Sequence, residues 1–363
     1  MASNPGRDTW GAGRGLAKAG EGRFVVLRLE DAVALLFFLL TLALRIIFRH
    51  LDRQNVSPAD VLIIIPAATL LLAKEMVNYF LGAGSRAAGS GAAVHDRHGG
   101  SQEVAEARQR APLGDFVRPY WNIVRDWFPF LVILMMYYSL WGDATLLIVT
   151  HDRDAALIVL DQRLFGFQAS VALERIVSPG LTRWMEFAYF YHVLHIPVVA
   201  CFLYIKCGRR RFREMMGGLM VITFFGLMGY LLVPAVGPMY TLRHLYTVPL
   251  RQPLGVFERQ MDFMNYARIR RDAFPSLHVG MSFLVWLYAR RNSKRLFWIL
   301  SPLVLSLWFA TLYLRYHYLI DVVAGLALAP LCYLLANWLF ARRGEIPIRA
   351  SLPRRWVEGT RWR

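Results

Sequence analysis

Runs of apolar residues long enough to cross a bilayer divide this chain from one end to the other. They cover about 32–48, 61–81, 127–149, 184–205, 215–232, 274–288, 296–314 and 317–340. A segment inside hydrocarbon must satisfy its own backbone polar groups, so a stretch of about 20 such residues reads as a helix. Of the 363 residues, 56% are hydrophobic and 18% charged, against about 25% charged in an ordinary soluble domain. That excludes a disordered chain, which needs low hydrophobicity. Three cysteines, Cys201, Cys207 and Cys332, exclude a disulfide scaffold. The expected fold is all-α: a polytopic membrane helix bundle of about eight transmembrane helices.

The net charge of +17 lies mostly between the apolar blocks, where topology rather than nucleic acid accounts for it. Loops around 206–214 and 289–295 carry Lys206, Arg209, Arg210, Arg211 and Arg213, then Arg290, Arg291, Lys294 and Arg295. The positive-inside rule therefore puts both termini in the cytoplasm, with 49–60, 150–183 and 233–273 on the outer side. The last of these has a basic excess on the wrong side, from Arg243 to Arg271, which suggests a local use for positive charge. The organisation reads as a basic N-terminus (1–31), two accessory spans (32–81) and a Gly/Ala-rich linker (82–120). A membrane-embedded catalytic region (121–340) and a basic tail (341–363) follow.

Two strings carry chemistry, and the topology sets both at the outer face. Arg315-Tyr316-His317-Tyr318-Leu319-Ile320-Asp321 opens the last span. His317 and Asp321 stand four apart, on one helix face. A carboxylate that accepts from one imidazole nitrogen leaves the other as base or nucleophile; the pair could equally be a satisfied polar contact between helices. Arg271-Asp272-Ala273-Phe274-Pro275-Ser276-Leu277-His278 opens the sixth span. Pro275 suits a first helical turn, whose free N–H groups with Ser276 favour a phosphate. His278, one turn in, can protonate a leaving oxygen. Taken together with Arg271 and Arg315, these parts suit phosphoryl transfer.

A third set, Glu186, Tyr189, His192 and His195, follows a spacing of three near the outer end of the fourth span. It either lines a substrate cavity or makes helix–helix hydrogen bonds. Two other function classes stay open on the residues alone. His278, His317 and Asp321 could be metal ligands, which chelator sensitivity would reveal. The same residues could relay protons in a transporter, although they gather at one face rather than at the midplane.

Pro-Ser-x-His followed about forty residues later by His-x-x-x-Asp resembles the type 2 phosphatidic acid phosphatase superfamily of membrane enzymes, over roughly 125–340. The wording of both strings is most similar to the branch containing inositol phosphorylceramide synthases. That resemblance implies a six-helix phosphatase-type catalytic core. It makes His317 the nucleophile of a phosphohistidine intermediate, Asp321 its orienting partner and His278 the acid to the leaving group. Ser276 would contact the phosphate, with Arg315, Arg271 and Arg243 as its cations. Val236-Gly237-Pro238-Met239-Tyr240 resembles the Gly/Pro/Tyr motif of the synthase branch, which adds Gly237, Pro238 and Tyr240 to the cavity beside Tyr189 and His192. The common phosphatase form carries an upstream Lys and Arg-Pro; no Lys lies between Lys206 and Lys294 here. It also has an Arg six residues before the nucleophile, where this chain has Thr311. The implied partners are a lipid phosphate and the membrane, with no cofactor, no metal and no nucleic acid. Water as acceptor would make the enzyme a phosphatase; an inositol, sugar or lipid hydroxyl would make it a phosphotransferase.

Overall fold

The computed structural model describes residues 24–48, 70, 71, 73, 74, 77, 113–140, 144–146, 148–250, 269–343 and 345–349. Its long helices are α1 (Leu29–Phe48), α2 (Leu113–Tyr138), α3 (Asp154–Phe165), α4 (Pro179–Phe202), α5 (Arg209–Leu232), α6 (Leu277–Asn292), α7 (Lys294–Tyr313) and α8 (Leu319–Arg343). Among the described residues four segments are long and apolar enough to cross a membrane, α4 with its π-helical extension to Cys207, α5, α7 and α8, with a fifth if the bent pair Asp154–Phe165 and Ala169–Ile176 counts as one span. The expected span 61–81 lies outside the described residues apart from 70, 71, 73, 74 and 77.

The core is built around α5. Its buried residues run unbroken from Glu214 to Thr223, so the helix is covered on all sides. It packs against α1, α2, α6 and α8, while α6 packs on α7 and α8, and α7 on α4. Small residues set the closeness of the α6–α8 crossing. A Cβ added to Gly325 of α8 would lie 2.5 Å from the carbonyl oxygen of Ser276.

One end of the bundle is held by ion pairs on buried carboxylates, whose arginine partners on α5 and α6 reach toward the surface. Asp126 lies 2.9 Å from Arg28 and also receives Arg209. Lys74 reaches Asp31 at 2.6 Å, and Glu214 receives Arg211 at 3.0 Å and Arg291 at 3.2 Å. Charges this buried persist only when paired. Helix α2 begins at Leu113, well before the apolar run expected from 127, and Asp126 just ahead of that run ties it to Arg209 of α5 and Arg28 of the N-terminal segment. A further departure is a two-stranded antiparallel pair that joins the two basic ends of the chain, β1 (Phe24–Arg28) with β2 (Glu345–Arg349).

Candidate active site

The opposite end of the bundle gathers both sequence strings. Ser276 is the N-cap of α6; its hydroxyl accepts from the Val279 N–H at 3.4 Å, and its own N–H donates to the Asp321 carbonyl at 3.1 Å. The Phe274–Pro275 peptide before it is cis. His278 is the second residue of α6, and its ring meets that of His317 beyond the end of α7. There the chain folds back: the N–H groups of Tyr316 and His317 both donate to the Thr311 carbonyl, at 3.0 and 3.1 Å, and Arg315 takes a left-handed φ of 66°. This turn brings His317 to His278, with His317 Nε2 3.3 Å from His278 Nδ1.

His317 is 2% exposed and Asp321 is fully buried. Helix α8 begins at Leu319, so His317 precedes the helix that the four-residue spacing placed it on. The pair still meets, with His317 Nδ1 3.5 Å from Asp321 Oδ2. The nearer acceptor is the Ala273 carbonyl, 2.8 Å from the same nitrogen. A carbonyl only accepts, so Nδ1 carries the proton, and in the neutral ring Nε2 holds the free lone pair. Asp321 Oδ2 also accepts from the Tyr318 N–H at 2.8 Å. Tyr189 Oη lies 2.9 Å from His278 Nε2, and the His192 ring lies 4.7 Å from the His278 ring. The spacing of three on α4 therefore delivers both residues to the site. His195 is fully buried, with neither ring nitrogen hydrogen-bonded among the described residues.

Helix α3 supplies two carboxylates that the sequence reading did not single out. Asp161 accepts from the N–H groups of Leu319 and Ile320, at 2.9 Å each, and so caps α8. Asp154 accepts from the N–H groups of Val236 and Gly237, at 3.0 and 2.9 Å, and from the Tyr318 hydroxyl at 2.8 Å. The two stand seven apart on one helix, both buried. That spacing, in an otherwise apolar stretch, was the signal available. Gly237 has φ 95°, and a Cβ there would lie 2.6 Å from the Tyr316 carbonyl. Pro238 is buried behind it and opens a short helical turn to Thr241, from which Tyr240 projects 54% exposed.

The three cations differ in their engagements. Arg315 donates to Glu174 at 2.8 Å and to the Val248 carbonyl at 2.6 Å, and lies 3.8 Å above the Tyr246 ring. Burial opposes the Glu174 charge, but the Thr247 and Val248 N–H groups, the Thr247 hydroxyl and Arg315 overcome it and hold the carboxyl below its ordinary range. Arg271 pairs with Asp152. Arg243 is exposed and has no ion pair among the described residues. Thr311, where the common phosphatase form has an Arg, is fully buried. Among the described residues no group of three or more His, Cys, Asp or Glu side chains is placed to hold a metal.

A helical bundle with apolar spans that closes two histidines over a helix start has the build of a membrane enzyme for lipid phosphates. Residues 155–335 match the family described as PAP2 superfamily, and through this segment the chain belongs to it. The phosphoinositol dihydroceramide synthase of Bacteroides thetaiotaomicron is 27% identical over 218 residues, covering 54% of this chain and 69% of that protein. The inositol phosphorylceramide synthase catalytic subunit aur1 of Schizosaccharomyces pombe is 39% identical over 67 residues, 18% of this chain and 16% of its own. No solved structure matches. The chain is thus a lipid-phosphate-processing enzyme of the PAP2 type, similar to the inositol phosphorylceramide synthase branch.

Proposed function

We propose that this enzyme moves an inositol-phosphate-like headgroup from a phospholipid donor to a lipid hydroxyl, holding the phosphorus on His317 between the two steps. In the first step His317 Nε2 attacks phosphorus. The phosphorus–oxygen bond to the departing lipid breaks, and that oxygen takes a proton from His278 Nδ1. In the second, His278 Nδ1 removes the proton of the acceptor hydroxyl, its oxygen attacks phosphorus, and the phosphorus–nitrogen bond breaks. The observation that carries this reading is the meeting of the two imidazoles at 3.3 Å, with the His317 lone pair directed at His278 by the Ala273 carbonyl. A phosphoryl group entering there parts the two rings and occupies the space in front of Nε2.

Ser276 at the α6 start, Arg315, Arg271 and Arg243 surround the phosphate with positive potential. Arg315 and Arg271 already face Glu174 and Asp152, so Arg243 is the cation that answers the incoming charge most directly. Gly237, Pro238, Tyr240, Tyr189 and His192 line the way in. The names of the two relatives favour an inositol-phosphate donor and a ceramide-type acceptor for this chain too. The ion-paired end around Arg209, Arg213 and Arg291 lies away from the histidines, which supports cytoplasmic termini and a site on the outer face.

The test uses purified protein in detergent with EDTA. Phosphatidylinositol is supplied with a ceramide or diacylglycerol acceptor, and phosphatidate separately, to wild type and His317→Ala. The expected result is a new inositol phospholipid without free phosphate, lost in the variant. Free phosphate from phosphatidate, lost in the variant, would make water the acceptor and the enzyme a phosphatase. Turnover that survives His317→Ala would overturn the histidine route.

A further inference from the structure

The hydrogen bonds of the site form a directed chain whose far end is Tyr189. The Ala273 carbonyl forces the proton of neutral His317 onto Nδ1. His317 Nε2 is then an acceptor, so the nitrogen facing it, His278 Nδ1, carries the proton of that ring. His278 Nε2 is left as an acceptor, and the group 2.9 Å away that can donate to it is the Tyr189 hydroxyl. The Tyr189 ring is fixed by packing as well: it lies 4.7 Å from Tyr316, nearly parallel at 26°, and 4.8 Å from the His278 ring.

During turnover the demand reverses. A His278 that gives a proton from Nδ1 to a leaving oxygen starts as imidazolium, its Nε2 having taken up a proton from water, and keeps that second proton on Nε2. That nitrogen now needs an acceptor. A hydroxyl is the side-chain group that serves both states, because it donates or accepts by rotating about one bond. Among the described residues, His192, whose ring lies against its face, and His317, which is engaged in the reaction, also meet His278.

We propose that Tyr189 is the positioning residue of the acid–base histidine. Its hydroxyl donates to His278 Nε2 in the resting enzyme and accepts from it once His278 is charged, so that Nδ1 is always the nitrogen turned to the reacting oxygen. This rests on the histidine route proposed above. It assigns the Tyr189 hydroxyl a task in the chemistry, beside the place of its ring along the way in.

Tyr189→Phe removes the hydroxyl and keeps the ring contacts. With phosphatidylinositol and ceramide as substrates, kcat should fall about ten- to a hundredfold, the range over which partners that fix a histidine tautomer act. KM should stay within about twofold, because a residue acting through His278 leaves lipid binding unchanged. Nitrogen-15 spectra of histidine-labelled protein give the second readout. Resting wild type should show His278 protonated on Nδ1, and Tyr189→Phe should gain the Nε2-protonated form. Wild type protonated on Nε2 at rest, or a variant with unchanged kcat and unchanged spectrum, would overturn the assignment to Tyr189. In that case phosphorus-32 label from the donor, trapped on His317 of wild type, would show that the histidine route itself stands. Turnover without label on His317 would overturn both.

Discussion

Asp161 accepts from the backbone N–H of Leu319 at 2.9 Å, and from that of Ile320 at the same distance, across 158 and 159 residues of sequence. Helix α3 thereby holds the first turn of α8, which carries Asp321 and directly follows His317. A charged acceptor of two part-buried amides contributes about 1–3 kcal/mol. Asp161→Ala should lower stability by about that much in a detergent thermal melt. It should also cut turnover, because the start of α8 sets the reach from His317 to His278. Asp161→Asn, which can still accept one of the two bonds, should lose less of both. An Asp161→Ala protein with wild-type melting would show that α8 keeps its start without the cap.

The contact between Arg315 and Glu174 ties the turn before His317 to the segment 246–248. Removing one partner of a part-buried pair strands the other, at less than the about 3–5 kcal/mol of a fully buried one. Arg315→Ala should therefore destabilise the protein and open 242–250 to limited proteolysis. The lowered Glu174 carboxyl gives the same latch a pH dependence of known sign. Its stabilisation is complete above the ordinary value of 4.5 and is lost as the pH falls through the lowered value of the folded state. Protease sensitivity of this segment should rise only below about pH 4.5 in wild type. If cleavage there does not change between neutral pH and pH 3, the latch is not held by this charge.

The two histidine strings were legible because their chemistry is local. Pro275-Ser276 announces a helix start, and His317 with Asp321 announces a paired imidazole, whatever surrounds them. The partners that hold these strings were not, because they arrive through tertiary contact. The acceptor nearest to His317 is a backbone carbonyl, Ala273, and no side-chain pattern encodes that. Asp154 and Asp161 lie in the outer-side segment 150–183, where a carboxylate looks solvated until Val236, Gly237, Leu319 and Ile320 are seen to fold onto it. The all-α class followed from the apolar blocks. The β1–β2 pair did not, since Phe24–Arg28 and Glu345–Arg349 are short and lie in basic ends that charge alone explained.

Gly325 sits where α8 crosses α6, and the atom a Cβ would strike is backbone, the Ser276 carbonyl oxygen. Backbone cannot swing aside as a side-chain end does, so Gly325→Ala must push the helices apart. The helices so parted carry His278 on one side and Asp321 on the other. The expected cost is about 1–3 kcal/mol in stability, with a loss of turnover larger than the loss of folded protein. Activity per folded molecule, from melting and assay on one preparation, is the measurement. Full specific activity in the folded fraction would mean that the spacing of the two helices has slack.

Asp321→Asn separates two ways of orienting His317. In a triad whose Asp alone fixes the imidazole, the Asn variant loses about 10⁴ in kcat, because the ring adopts the wrong tautomer. Here the Ala273 carbonyl, at 2.8 Å against 3.5 Å for Asp321, fixes the proton on Nδ1, and no side-chain substitution removes it. An Asn at 321 can still accept from the Tyr318 N–H, so the turn before α8 survives. What is lost is negative charge beside the imidazole, which on the proposed route becomes cationic when it bonds to phosphorus. Asp321→Asn should therefore reduce kcat by on the order of 10² rather than 10⁴, with phosphorus still trapped on His317. A loss as deep as that of His317→Ala would mean that the carboxylate, not the carbonyl, sets the tautomer.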